Sequence, residues 1–352
     1  MTSYRRVLII KLGSIGDVVH TLPAVSALKQ AWPETTVDWV VERKARVVLE
    51  GNPQIAEIIE VDTHRWRKSP LQGKNWREIR TTLQRLRGKK YDLALDFQGL
   101  WKSAALGWFS GARQLAGLDA GALKEPGCRL FYHLKVNPAS GNRHVIEIYN
   151  DLVRAFGVPV SGYSFPLAVS PEDELWVEAQ VESMASAGFA VINPGGGWPT
   201  KNWDAANYGR LCHRIHQELE LPCVITWGPG EEGLRDLLLE NCPPPAPLAI
   251  PTTIPQLVAL VRRARVFIGG DTGPMHLAAA VGTPIVALFG PTDPIRNGPF
   301  HPADEVVYHP LPCGPCYKRS CEAYQARCVR EIPEEEIFRA VVKRLGKQSR
   351  AS

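Results

Sequence analysis

The residues of this chain that could do chemistry fall where an apolar run gives way to a helical pattern. The first group is Lys11-Leu12-Gly13-Ser14-Ile15-Gly16-Asp17. Its two glycines permit a tight turn. The spacing lacks the leading glycine of the G-x-G-x-x-G dinucleotide fingerprint, and only Glu42 offers an acid at the end of the next apolar run. Asp17 reads either as a helix cap or as a general base that takes a proton from an attacking hydroxyl. The second group is Asp271-Thr272-Gly273-Pro274-Met275-His276, preceded by Gly269 and Gly270. Exposed N–H groups and the dipole at a helix start favour an anion. The Thr272 hydroxyl can donate to phosphate, and the Asp271 carboxylate can accept from sugar hydroxyls.

A third group, Asn193-Pro194-Gly195-Gly196-Gly197, is followed by Lys201. A glycine loop with a nearby Lys suits a diphosphate. No Gly-Lys-Ser/Thr follows at the Walker spacing, which argues against a P-loop NTPase. Further on, Trp227-Gly228-Pro229-Gly230-Glu231-Glu232 places two acids after another strand. One of them can hold ribose hydroxyls, or both simply open a helix. The fourth group is His64-Arg65-Trp66-Arg67-Lys68 with Lys74 and Arg77, a stretch with no acid between Asp62 and Glu78. Guanidinium forks match phosphate and carboxylate. A solvated surface has the same composition.

These groups need a scaffold that delivers strand ends to one edge. Val7–Ile10, Val37–Val41, Ile55–Val61 and Tyr91–Phe97 read as strands, and Val18–Gln30, Asn75–Arg87, Lys102–Trp108 and His144–Phe156 as helices. A second alternation follows. Its strands are Ala190–Ile192, Cys223–Trp227, Val266–Gly269 and Ile285–Phe289. Its helices are Asp204–Leu219, Leu257–Ala264 and Met275–Val281. Alternating β and α elements predict parallel, doubly wound sheets. The expected division is a first domain over 1–165, a second over 175–330, and a last helix within 331–352 that packs back on the first domain. Ligands of such sheets bind outside the carboxyl ends of the strands, which is where all four groups lie.

Composition narrows the class. The chain has 352 residues, 45% hydrophobic and 22% charged, with 41 Lys plus Arg against 36 Asp plus Glu. A net charge of +5 is too mild for a dedicated nucleic-acid binder, yet it leaves room for one basic patch. No apolar run is long enough to cross a membrane, and the start lacks a signal-peptide pattern. The expectation is a cytoplasmic protein.

Taken together, the Lys11-to-Pro23 segment and the Asp271-to-Asp293 block, ending Gly290-Pro291-Thr292-Asp293-Pro294, resemble the two signatures of the ADP-heptose-dependent glycosyltransferases of lipopolysaccharide core assembly, glycosyltransferase family 9. Arg65 to Lys68, Gln98 to Leu106, Glu125-Pro126 and Leu130-Phe131-Tyr132 are most similar to the heptosyltransferase I group within it. The resemblance implies a GT-B fold, two Rossmann-like domains facing across a cleft. It implies an inverting transfer of heptose from ADP-heptose to a Kdo-lipid A type acceptor, at the cytoplasmic face of the inner membrane, with no cofactor required. Asp17 is then the base. Lys201, Asp271, Thr272, Gly273 and His276 belong to the donor site, with Glu232 as the ribose acid and Glu231 beside it. Ser14, Arg65, Arg67 and Lys68 face the anionic acceptor.

One departure stands out. Cys313, Cys316, Cys321 and Cys328 form a tight cluster, and the first pair has zinc spacing. The readings left open are a structural zinc, redox-labile thiols or packed free thiols. Three competing functions also remain: another heptosyltransferase such as type II, a nicotinamide dehydrogenase without its fingerprint, and a nucleotide-sugar-binding protein without turnover.

Overall fold

The computed structural model describes residues 4–69 and 73–348. The chain divides into two compact units, 1–168 and 169–352. In the first unit the strands are β1 (Arg6–Ile10), β2 (Thr36–Glu42), β3 (Glu57–Val61), β4 (Leu93–Asp96), β5 (Gln114–Leu118) and β6 (Leu134–Val136). Its helices are α1 (Ile15–Ala31), α2 (Thr63–Lys68), α3 (Gly73–Gly88), α4 (Trp101–Phe109) and α5 (Val145–Arg154). The six strands form one parallel sheet in the order β3-β2-β1-β4-β5-β6.

The second unit holds β7 (Ala190–Asn193), β8 (Cys223–Ile225), β9 (Leu248–Ala249), β10 (Val266–Gly270), β11 (Ile285–Phe289) and β12 (Glu305–Tyr308). They pair in parallel, in the order β12-β11-β10-β7-β8-β9. Its helices are α6 (Pro171–Val181), α7 (Ala205–Leu219), α8 (Glu232–Glu240), α9 (Ile254–Arg263), α10 (Gly273–Ala280), two short ones, α11 (Pro294–Asn297) and α12 (Arg327–Arg330), and α13 (Glu334–Gln348).

The strands read as unbroken apolar runs because both sheet faces are covered. Val7, Leu8, Ile9 and Ile10 have no exposed surface, and neither have Phe267 and Ile268 of β10. α1 is buried nearly all round because it lies between its sheet and α5. In each sheet the strand order reverses at the centre, between β1 and β4 in the first and between β10 and β7 in the second. At such a reversal adjacent strand-to-helix loops diverge and leave a crevice. The loops after β1 and β10 carry the Asp17 and Asp271 groups.

α13 corrects an expectation. The sequence reading placed it on the first domain. Its apolar face is taken up by the second unit, where Ile337, Phe338 and Val341 join the core with Ile268 and Leu288. Arg344, almost fully buried, pairs with Asp304 at 2.9 Å and ties the helix down beside β12. Positions 349–352 lie outside the described residues. Among the described residues no helix is long and apolar enough to cross a membrane.

Candidate functional site

In the first unit the site is built at the end of β1. Ser14 caps α1 and forms a capping box with Asp17. The Asp17 carboxylate accepts from the Ser14 hydroxyl at 3.1 Å and the Ser14 N–H at 3.3 Å. Lys11 Nζ stands 3.4 Å from the other oxygen. Lys11 is buried, and its ammonium also donates to the Phe97 carbonyl and the Tyr149 hydroxyl. The Asp17 side chain remains 41% exposed. Burial works against its charge, but Lys11, Ser14 and Lys124 together outweigh that and hold the carboxyl at about 2. Asp17 is therefore both a cap and an ionised, accessible carboxylate.

The β4–α4 loop braces this turn. Gln98 Oε1 accepts from the Leu12 and Gly13 N–H groups at 3.0 and 2.8 Å. Buried Asp96 accepts from the Gln98 and Gly99 N–H groups and from the Ser103 and Tyr132 hydroxyls. His20 packs edge-on against His144, with ring centres 5.4 Å apart.

The basic stretch forms α2 and the start of α3. Arg65 is already engaged, since it pairs with Glu78 and lies 3.9 Å from Asp62. Arg67 and Lys68 are exposed and pair with no carboxylate among the described residues. Of the three expected acceptor cations, these two have charge to offer.

In the second unit the glycine loop after β7 meets the start of α10. A Cβ on Gly196 would stand 2.4 Å from the Thr272 methyl, so only glycine permits that approach. Lys201 Nζ reaches the Asp271 carboxylate at 2.6 Å and its carbonyl at 2.9 Å. His276 Nε2 sits 3.1 Å from the other carboxylate oxygen. Asp271 is buried. Desolvation alone would raise its pKa, but His276 and Lys201 hold it well below the usual carboxylate range. Thr272 occupies the N-cap of α10 without a side-chain capping bond, so the first N–H groups of the helix keep their need for an acceptor.

The structure separates the two neighbouring acids. Glu231 turns against the glycine loop: its carboxylate accepts from the Gly228 N–H at 2.8 Å and fills the space beside Gly195. Glu232 is exposed and accepts from the Gly230 N–H at 3.3 Å. One cation was not anticipated. Arg319 lies 5.0 Å from the Trp198 ring centre, on a ring that Lys201 also approaches at 4.7 Å. It arrives with the cysteine-rich segment, which Thr200 anchors by donating to the Lys318 carbonyl at 2.7 Å.

The structural-zinc reading finds no support. Among the described residues no three His, Cys, Asp or Glu side chains come together as a metal-ligand set. The four sulfurs still share one neighbourhood, where burial and then the nearby Cys316, Cys321 and Cys313 push the Cys328 thiol up. Cys321 accepts from the backbone of Ala326 and Tyr324, which lowers its pKa, and Cys328 packs beside Gly290.

Comparisons with known proteins bear on the family and the fold. Residues 79–326 match the profile described as Glycosyltransferase family 9 (heptosyltransferase). Lipopolysaccharide heptosyltransferase 1 of Pseudomonas aeruginosa is 33% identical over 90% of this chain and 87% of its own length. A family 9 glycosyltransferase from Veillonella parvula shares the fold with a TM-score of 0.85, at 22% identity and 99% coverage of both chains. The E. coli heptosyltransferase WaaC, solved with ADP-2-deoxy-2-fluoro heptose, superposes with a TM-score of 0.72 at 26% identity over 94% of this chain and 99% of that one. The architecture is GT-B, and with the profile covering most of its length the chain belongs to glycosyltransferase family 9, the heptosyltransferases.

Proposed function

We propose that this chain transfers heptose from ADP-heptose to an anionic glycolipid of the Kdo-lipid A type, with inversion at the anomeric carbon. The acceptor hydroxyl attacks that carbon, the bond to the β-phosphate oxygen breaks, ADP leaves and the proton passes to Asp17. The start of α10, with the free N–H groups near Thr272 and Gly273, receives the diphosphate. Lys201 and Arg319 balance the charge that grows on the leaving phosphate. Asp271, oriented by His276, accepts from donor-sugar hydroxyls, and Glu231 is the ribose acid. Ser14, Arg67 and Lys68 serve the acceptor, and Arg65 shapes α2 through its pairing with Glu78. No metal enters this scheme. The protein works in the cytoplasm, against the inner membrane where its acceptor resides.

The observation that carries this reading is Asp17: a carboxylate kept ionised by a buried Lys while its side chain stays open to solvent. The solved WaaC complex with a fluorinated ADP-heptose supports the choice of donor. Asn caps a helix as well as Asp does but cannot take the proton. Asp17→Asn is therefore expected to fold normally and bind ADP, while transfer falls by about 10²–10⁴-fold. Turnover near the parent level would leave Asp17 as a cap alone. Mass spectrometry of products from Kdo-lipid A, and from the same acceptor already bearing one heptose, separates the type I reaction from type II. No product from either would favour a nucleotide-sugar-binding role.

A further inference from the structure

The outer surface of the first unit is unlike that of an ordinary soluble α/β protein. α4 reads Trp101-Lys102-Ser103-Ala104-Ala105-Leu106-Gly107-Trp108-Phe109. Helical spacing puts Trp101, Ala105, Trp108 and Phe109 on one face. Ser103, Ala104, Leu106 and Gly107 occupy the other and are buried against the sheet. A helix on a soluble protein turns charge toward water; here Trp101, Trp108 and Phe109 are 48, 48 and 43% exposed. The adjoining turn adds Leu130, at 75%. These residues form one patch. Trp101 and Trp108 stand edge-on to Phe131, with ring centres 5.9 and 6.0 Å away.

The chain's positive charge gathers beside this patch. Between His64 and Lys90 there are ten Lys or Arg and one acid, Glu78. The stretch thus carries +9, where the whole chain carries +5. Arg67, Lys74, Arg77, Arg80 and Arg87 are exposed and pair with no carboxylate among the described residues. Trp76 lies among them, 59% exposed. Arg87 Nε donates to the Phe109 carbonyl at 3.0 Å, joining the basic helix α3 to the aromatic end of α4.

We propose that α3, α4 and the 126–131 turn form a docking surface for an anionic lipid bilayer. Aromatic rings favour the headgroup level, and Lys and Arg are drawn to anionic headgroups. A second copy would set this cationic surface against itself. A nucleic acid would use the cations and leave Leu130 and Phe109 without a partner. The surface deepens the proposed function, since a glycolipid acceptor is held in such a bilayer, but it is tested without any transfer reaction.

The test is sedimentation of the full chain with vesicles of phosphatidylglycerol and phosphatidylcholine, against phosphatidylcholine alone. Binding is expected to the anionic vesicles and to weaken with salt. Arg80→Glu with Arg87→Glu should reduce it at roughly fivefold per cation, about twentyfold or more for the pair. Trp108→Ser with Phe109→Ser and Leu130→Ser, checked for folding by circular dichroism, should reduce it by about tenfold or more. Both variants should retain transfer to a water-soluble, delipidated acceptor, with a raised KM for acceptor embedded in vesicles. Parent-like vesicle binding by either variant overturns the proposal, as does equal binding to both lipid mixtures. A solution dimer that the α4 variant dissolves, with vesicle binding unchanged, overturns it in favour of self-association. A chain that binds anionic vesicles but transfers no heptose would sink the proposed function and leave this surface standing.

Discussion

Asp17 owes its character to a residue at the end of a fully apolar strand. Lys11 follows four residues with no exposed surface, so its ammonium must find partners inside the protein. It finds the Phe97 carbonyl, the Tyr149 hydroxyl and Asp17. A carboxylate held at about 2 is a weak base. As the proposed base it would take the proton only late, once bonding to the anomeric carbon has made the acceptor hydroxyl acidic. Lys11→Met removes the charge that favours the ionised form and leaves the desolvation that opposes it, so the Asp17 pKa must rise. The acid limb of kcat/KM is expected to move to higher pH by about one unit or more. An unmoved limb would assign the low pKa to the Ser14 bonds and Lys124. The sequence made Asp17 visible but left cap and base as alternatives; the structure shows the cap, and beside it a carboxylate still open to solvent. It did not reveal which way Lys11 turns, because apolar neighbours carry no sign of direction. It put Glu232 ahead of Glu231, because nothing in the pattern tells which of two neighbouring acids turns toward the glycine loop; in the structure Glu231 does. Arg319 was hidden for a different reason: it reaches Trp198 from 121 positions downstream.

At the scale of elements, the site rests on how closely loops approach helix starts. Gly196 and Gly197 are neighbours in sequence and opposites in space. A methyl on Gly196 would strike Thr272, whereas one on Gly197 would meet nothing within 4 Å. Gly196→Ala should push the loop away from α10 and weaken ADP binding by about tenfold, comparable to one hydrogen bond to a charged group. Gly197→Ala should leave it unchanged. Equal effects on calorimetric affinity would mean that loop flexibility, rather than contact with α10, sets binding. The sequence pattern located the central strands, whose apolar runs are long. It passed over β5, β6, β9 and β12. β6 and β9 are three and two residues long, too short to show a period. The strand order, which places each site loop at a reversal, depends on pairings that local pattern does not encode.

At the scale of the molecule, each unit owns a complete sheet and core. The second unit's core runs from Ala190 to Val341 and includes Ile337 and Phe338 of α13. Residues 169–352 produced alone are expected to unfold cooperatively and to bind ADP with nearly the parent affinity. The same piece ending before Glu334 should do neither, because removing those side chains opens the core, and each large buried side chain lost costs about 2–5 kcal/mol. Denaturant titration and calorimetry on the two fragments check this; ADP binding by the shorter piece would make α13 dispensable. Sequence periodicity identified α13 as a helix but not its partner, because an apolar stripe fits any apolar surface.

The placement of α13 also sets a timetable. As the polypeptide leaves the ribosome, the first unit has all its strands and helices once position 168 has emerged, and domains generally fold as units in the order of their synthesis. The second must wait, with one flank of its sheet bare, until translation has passed through position 348. The unit proposed above to hold the nucleotide is the last to mature, and a nascent chain stalled before α13 is complete would be the form most exposed to chaperones and proteases.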